Sequence, residues 1–175
     1  VNTPTTPPLN LETPKNSELL ENMSLYTNTK YGYAIQYPSD PTFKQYSCSN
    51  QSNKNGDDYF VLTVSKEKAT SPCAAKDISY PIELHVSTGN QTNSDYFKTV
   101  LTEFDAKVTP TTFGQLPASK IELTKKSPSP GSNNLVYTSV FNNGKTYSLQ
   151  LTDLKYLETY NKMVPTFKFI ESKTK

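Results

Sequence analysis

The sequence predicts one α+β domain built on a central, mainly antiparallel β-sheet with helices packed against it. Runs of alternating apolar and polar residues recur along the chain, and two segments carry an apolar stripe at helical spacing. An Asn-Gly turn joins the two clearest strands. Because the strands come in hairpins, antiparallel pairing is expected.

The chain divides into a leader, one domain and a short tail. Residues 1–22 are predicted to be a flexible linker, and the Pro- and Thr-rich residues 1 to about 15, which are poor in apolar side chains, are expected to be dispensable for folding. Residues 23–172 form the predicted domain, and residues 173–175 are a tail. A chain of 175 residues suits a single core that needs no metal to fold.

Two short strands, at 25–27 and 33–37, are predicted to open the domain. Gly32 permits a turn with positive φ between them, and Pro38 ends the second strand. One face of this segment is expected to cover a sheet edge with three tyrosine rings, those of Tyr31, Tyr33 and Tyr37.

Two further strands are predicted at 59–65 and 78–86. On the second of these, Ile82, Leu84 and Val86 share one face, while Glu83 and His85 share the other. The intervening residues 66–76 are expected to form a loop.

A helix is predicted from Asn93 or Ser94 to about Phe104, followed by a strand within 113–124. Strands at 135–141 and 145–151 flank an Asn-Asn-Gly turn. Asp153 caps a final helix that Pro165 kinks or restarts. The apolar stripe of that helix comprises Leu154, Leu157, Tyr160, Val164 and Phe167.

The charge pattern argues against binding to nucleic acid. The net charge is only +2, and all 18 basic residues are lysines. Bidentate recognition of phosphate or guanine depends on the arginine fork, which this chain lacks. No phosphate-binding glycine loop is present, so no nucleotide cofactor is expected.

The composition favours an exported bacterial protein. Ser, Thr and Asn total 56 residues, and no apolar run approaches the ~20 residues of a membrane span. The sequence begins with Val1, as a processed form would. We expect an extracellular or cell-envelope location, with the membrane reached only through an anchor upstream of residue 1.

Glu83 and His85 are the one candidate for a chemical site. A carboxylate and an imidazole on the same strand face could hold a metal or form an acid–base pair. The alternative is a solvated or helix-covered strand face. Because no further His or Cys ligand and no Gly-x-Ser-x-Gly motif accompanies them, we predict no catalytic, metal or cofactor site.

Two segments resemble PsbP-like domains. Residues 26–40 read Tyr-Thr-Asn-Thr-Lys-Tyr-Gly-Tyr-Ala-Ile-Gln-Tyr-Pro-Ser-Asp, and residues 160–169 end in Thr-Phe-Lys-Phe. The resemblance implies an α/β/α sandwich and an exported, non-catalytic protein. It looks more like the bacterial, membrane-tethered relatives than like the photosystem II subunit.

These observations predict a non-enzymatic interaction module of the cell envelope, presented on the leader as a spacer. The partner would be an envelope protein or a glycan, and the domain itself a monomer. A binding protein for a small or lipidic ligand held between sheet and helix is the alternative. An enzyme or metal protein centred on His85 is the third hypothesis.

The two cysteines are predicted to form a disulfide between Cys48 and Cys73, since an even count is typical of exported chains. Both are expected in loops flanking strand 59–65. Closing a loop of about 26 residues stabilises a fold by roughly 3 kcal/mol in the chain-entropy model. Ellman titration of the unreduced, denatured protein should detect no free thiol, and two free thiols would contradict the prediction.

Overall fold

The computed structural model describes residues 19–41, 43–49, 58–63, 81–91, 100–127 and 134–170. The strands in chain order are β1 (Met23–Asn28), β2 (Tyr33–Pro38), β3 (Lys44–Ser49), β4 (Asp58–Thr63), β5 (Ile82–Thr88), β6 (Phe104–Phe113), β7 (Leu116–Lys125), β8 (Leu135–Asn142), β9 (Lys145–Leu151) and β10 (Lys168–Phe169). The helix α1 (Leu157–Met163) lies between 3₁₀ turns at Leu154–Tyr156 and Val164–Thr166, and residues 100–103 are also helical.

The strands form two sheets, and the pairing within each is antiparallel. The small sheet has the order β1-β2-β10, and the large sheet has the order β3-β4-β5-β9-β8-β7-β6. The predicted α+β class with a mainly antiparallel sheet is therefore confirmed. The small sheet joins distant parts of the chain, because Phe169 pairs with Tyr33 and Lys168 pairs with Ala34.

The core lies between one face of the large sheet and a layer made of the small sheet and α1. On β5 the predicted division of faces holds, since Ile82, Leu84 and Val86 are all buried. Each neighbouring element contributes every second residue of a strand or one side of the helix. The buried cluster comprises Tyr33, Ile35, Ile82, Leu84, Val86, Phe113, Val136, Val140, Tyr147, Leu149, Leu151, Tyr160, Met163 and Phe167.

Five aromatic rings occupy one end of this core and are called the aromatic cluster: Tyr33, Phe113, Tyr147, Phe167 and Phe169. The ring of Phe167 stacks on that of Phe113, with centroids 4.0 Å apart, and on that of Tyr33 at 5.7 Å. Phe169 meets Phe167 edge to face at 5.2 Å. These contacts hold the end of β6, the start of β2 and the segment after α1 together.

Two turns follow from local backbone chemistry. Asn143 and Gly144 both have positive φ, as the Asn-Gly signal between β8 and β9 predicts. The hydroxyl of Thr146 donates to the carbonyl of Gly89 at 2.7 Å and accepts from the N–H of Gln91 at 3.0 Å. The residues that follow β5 are thereby fixed to the start of β9.

The β6–β7 hairpin differs from the prediction. Residues 100–103 are helical, as predicted, and the earlier part of the predicted helix lies outside the described residues. Phe104, however, begins β6, a strand that the sequence does not predict. The hairpin reverses at Gly114 and Gln115, both with positive φ. β6 escapes the pattern because it is an edge strand, exposed along most of its length and containing Pro110.

Two other expectations are corrected. Cys48 lies in β3, in register with Tyr59 of β4, and not in a loop. Leu154 and Leu157 are exposed, because the C-terminal helix starts as a 3₁₀ turn of three residues per turn and shifts the buried face to Tyr160 and Met163.

The tyrosines of the opening segment are more deeply placed than predicted. Tyr33 is completely buried in the core, and Tyr31 and Tyr37 pack against it from the side. Gly32 has the predicted positive φ, at 69°. The restart at Pro165 also agrees, since Pro165 lies in the first turn of the second 3₁₀ segment.

A substitution at Gly114 should test the aromatic cluster. A Cβ added there would lie 2.8 Å from Cε2 of Phe169 and 3.0 Å from Cδ1 of Phe167. We expect Gly114→Ala to lower the free energy of unfolding by about 2–4 kcal/mol, from backbone strain plus displaced rings. Urea denaturation measures this loss.

Gly144→Ala is the matched control, because Gly144 also has positive φ but no atom lies within 4 Å of its added Cβ. It should lose only the backbone term, about 1 kcal/mol. Equal losses in the two variants would show that the rings do not constrain Gly114.

The buried hydroxyl of Tyr160 gives the fold a defined response to alkaline pH. It donates to Thr138 Oγ1 at 2.7 Å and to the carbonyl of Leu149 at 3.2 Å. Burial raises the pKa of Tyr160 above that of a free tyrosine. Above about pH 10 the unfolded chain loses this proton while the native chain keeps it, so stability falls as the pH rises.

Tyr160→Phe should therefore be less stable than the parent near pH 8, by about 1–2 kcal/mol for the lost hydrogen bonds. The gap should narrow towards pH 11, because the variant has no proton to lose at this position. Urea unfolding of both proteins at the two pH values measures the gap. A gap that stays constant or widens would contradict the assignment.

Candidate functional site

The predicted pair, Glu83 and His85, lies on the face of β5 that points away from the core. Glu83 Oε2 and His85 Nε2 are 2.6 Å apart, a hydrogen-bond distance. The side chain of His85 is 37% exposed and that of Glu83 is 18% exposed. Both groups thus remain in contact with solvent on the outer side of the large sheet.

The large sheet places two serines beside this pair. His85 is in register with Ser148 of β9, and Ser148 is in register with Ser139 of β8. The two serine hydroxyl oxygens are 2.5 Å apart. His85, Ser148 and Ser139 thus form a polar row across three strands. The row is buried at Ser139 and exposed to solvent at His85.

A second row runs parallel to the first, since Glu83 is in register with Gln150, and Gln150 with Tyr137. Residues in register across neighbouring strands point to the same side of a sheet. We call the two rows together the polar face, which comprises Glu83, His85, Tyr137, Ser139, Ser148 and Gln150. It presents a carboxylate, an imidazole, an amide, a phenol and two hydroxyls within three adjacent strands.

Sequence reasoning found Glu83 and His85 but missed the serines. The Asn-Gly turn sets the β8–β9 register, and counting back from it pairs Ser139 with Ser148. That signal was present in the sequence. The pairing of β5 with β9 joins segments about 60 residues apart, and no local pattern specifies it.

The arrangement contains the residue types of a Ser-His-Glu triad, but the geometry differs from one. The carboxylate contacts Nε2, the outer ring nitrogen of His85. In a triad that nitrogen faces the serine and the acid holds Nδ1. Glu83 therefore engages the ring nitrogen that accepts the serine proton in a triad.

Metal binding has little geometric support. In the ranges that the structure describes, His, Cys, Asp and Glu side chains do not come together in groups of three or more that could hold an ion. The other predicted site is the disulfide. Cys48 lies in β3, whereas Cys73 falls outside the described residues, so the bridge stays a prediction.

Comparisons with known proteins identify the architecture. No protein-family model matches the sequence, and no curated protein matches it either. Among solved structures, the solution structure of cyanobacterial PsbP (CyanoP) from Synechocystis sp. PCC 6803 matches with a TM-score of 0.53 and 12% identity. The match covers 91% of this chain and 98% of that one. The chain has the PsbP-like fold.

The two quoted segments now have a structural explanation in the PsbP-like fold. The first contains β1 and β2, and the second contains β10, which pairs with β2. The resemblance therefore lies in the small sheet and in the aromatic residues beneath it. At 12% identity the likeness establishes the fold and transfers no residue roles.

The polar face belongs to a different part of this PsbP-like domain, namely the three central strands of the large sheet. Within the described residues, none of the helices has the length and apolar character needed to span a membrane.

Proposed function

We propose that this protein is a non-enzymatic, exported component of the cell envelope that works by surface contact through its polar face. The Pro- and Thr-rich residues 1 to about 15 act as the spacer that holds the domain away from an upstream anchor. The observation that carries the proposal is the grouping of six hydrogen-bonding side chains on the outer side of one sheet. Hydrogen-bonding side chains at a surface can bind the polar groups of a partner.

The chemistry of the polar face indicates the kind of partner. The face offers acceptors at Glu83, donors and acceptors at Ser148 and Gln150, and the half-buried ring of Tyr137. It has no concentration of one charge that would select a nucleic acid or an anionic lipid. A neutral partner that exposes hydroxyl or amide groups, an envelope glycan or protein, fits this combination.

The packing of the core supports surface contact over the alternative of a ligand held between sheet and helix. Tyr160 and Met163 of α1 are fully buried against the large sheet. The hydroxyl of Tyr160 links α1 to the large sheet by hydrogen bonds to Thr138 and to the carbonyl of Leu149. A lipid tail entering here would have to break those bonds and displace close-packed side chains.

Site-specific photocrosslinking in the native envelope tests the proposal. A photoreactive residue at Gln150 reports on the polar face, and one at the exposed Glu158 of α1 reports on the opposite side of the domain. We expect a defined protein or glycan adduct from position 150 and none from position 158. The reverse pattern, or equal labelling from both, would contradict the proposal.

His85→Gln separates contact from turnover. The substitution keeps a hydrogen-bonding side chain but removes the imidazole, so folding and metal content should not change, and adduct formation at position 150 should fall at most several-fold. A hydrolytic activity of the parent protein that disappears in both His85→Gln and Ser148→Ala would overturn the non-enzymatic assignment.

A further inference from the structure

β6 presents an outer edge to solvent. It is ten residues long, mostly exposed, and stands last in the strand order of the large sheet, where the described residues pair with it on the β7 side only. An edge strand of this kind displays backbone donors and acceptors on which another strand can pair. Which residues display them follows from the hairpin.

The β6–β7 turn fixes the direction of the backbone groups. It has two residues, Gly114 and Gln115, both with positive φ, which is the geometry of a type I′ hairpin. In such a hairpin the flanking residues, here Phe113 and Leu116, form a hydrogen-bonded pair. Hydrogen-bonded pairs then recur at every second residue along the strand.

The hydrogen-bonded pairs recur at every second residue before Phe113. The N–H and C=O groups of Asp105 and Lys107 therefore point towards β7. Ala106, Val108 and Pro110 direct theirs outward. Pro110 fits this assignment because it has no N–H to donate, and a proline is tolerated where that donor would face away from the sheet.

The outward edge is therefore usable over a short segment only. Pro110 interrupts it on one side, and the helical residues 100–103 precede it on the other. Phe104 to Val108 remain, with outward backbone groups at residues 104, 106 and 108. This segment of five residues is called the pairing segment.

We propose that the pairing segment binds the same segment of a second copy of this chain, antiparallel, about a two-fold axis through Ala106. In that register Asp105 lies opposite Lys107 of the second copy, and Lys107 lies opposite its Asp105. The two-fold symmetry makes both ion pairs identical. On the other side of the sheet Phe104 meets Val108, again twice.

The observed exposure is compatible with this pairing. Asp105 is exposed, the side chain of Lys107 is 76% exposed, and Val108 is 57% exposed. Lys107 also lies 3.5 Å from Glu122 on β7, a solvent-exposed contact that leaves the ammonium group able to reach a second carboxylate.

Neighbouring registers are worse. Centring the axis on Val108 places Ala106 opposite Pro110, which removes a hydrogen bond, and leaves Lys107 opposite Thr109. Centring it on Phe104 places Asp105 opposite Glu103, two like charges. The sequence of β6 is thus self-complementary in one register.

The proposed dimer is weak because the contact between the two copies is small. The register supplies about six hydrogen bonds across five residues, far less than the contact of a stable dimer. A contact of this size leaves the domain monomeric when dilute and lets it pair where its local concentration is high. This inference does not depend on the polar face.

Disulfide trapping tests the register. In the proposed dimer the two Ala106 Cα atoms form a hydrogen-bonded pair about 5.5 Å apart, within the range of a disulfide. Ala106→Cys at high protein concentration under mild oxidation should give a crosslinked dimer. Thr112→Cys is the control, because it is exposed on the same outer edge but lies beyond Pro110, far from its counterpart.

Charge reversal tests the ion pairs in the Ala106→Cys background. Asp105→Lys and Lys107→Asp should each lower crosslinking roughly tenfold at low salt, because two attractions become two repulsions. An equimolar mixture of the two variants should restore it as a heterodimer, since each now complements the other. Circular dichroism establishes that both variants fold.

A crosslinking yield for Ala106→Cys no greater than that for Thr112→Cys would overturn the proposal. The same holds if mixing the Asp105→Lys and Lys107→Asp variants does not restore crosslinking. If Lys107→Asp does not fold beside Glu122, Asp105→Lys and the neutral Asp105→Asn decide the question. Crosslinking should then fall in the order parent, Asp105→Asn, Asp105→Lys, and any other order would refute the ion pairs.

Discussion

The stacking of Phe167 on Phe113 and Tyr33 is the contact on which the arrangement of the domain depends. Phe113 ends β6, Tyr33 begins β2, and Phe167 follows the C-terminal helix, so three remote parts of the chain meet in these rings. Removing a buried phenylalanine costs about 3–5 kcal/mol, a large share of the 5–15 kcal/mol that stabilises a typical domain. A separate edge-to-face contact, between Phe43 and Tyr156 at 5.8 Å, attaches the start of the helical segment near β3.

One face of the large sheet is committed to this core, and the other carries the polar face beside the buried Ile121 and Leu123 of β7. The alternation along β5 produces both faces from one strand: Leu84 packs inward, and Glu83 and His85 point outward. The same alternation on β8 and β9 brings Ser139 and Ser148 to the outer side. The polar face is thus a direct product of strand periodicity combined with the strand order.

The sequence predicts those parts of the fold that depend on neighbours in the chain. The β8–β9 hairpin follows from Asn143 and Gly144, whose positive φ values few other residue pairs adopt as readily. The two faces of β5 follow from its alternation. The buried face of α1 does not follow from the sequence in the same way. The predicted stripe assumes helical spacing throughout, whereas the segment begins with a 3₁₀ turn that has fewer residues per turn.

The missed features depend on position in the sheet. β6 lies at the edge of the sheet and buries little apolar surface, so its sequence lacks the alternation that predicts a strand. It also contains Pro110, which argues against a strand in the sequence. The serines of the polar face become neighbours of His85 only through the β5–β9 pairing. The sequence places Glu83 and His85 together on one strand face, as the structure has them, whereas the neighbouring hydroxyls come from other strands and no local signal links them to this pair.

The pairing of β2 with β10 has a consequence for how the chain acquires its structure as it is synthesised. A polypeptide made from its N-terminus has β1 and β2 available early, but the third strand of their sheet is absent until residues 168 and 169 have been added. Phe167, which covers Tyr33, arrives at the same late stage. Nearly all of the described domain must therefore be synthesised before the small sheet can close, so the completion of this sheet is a late step in folding.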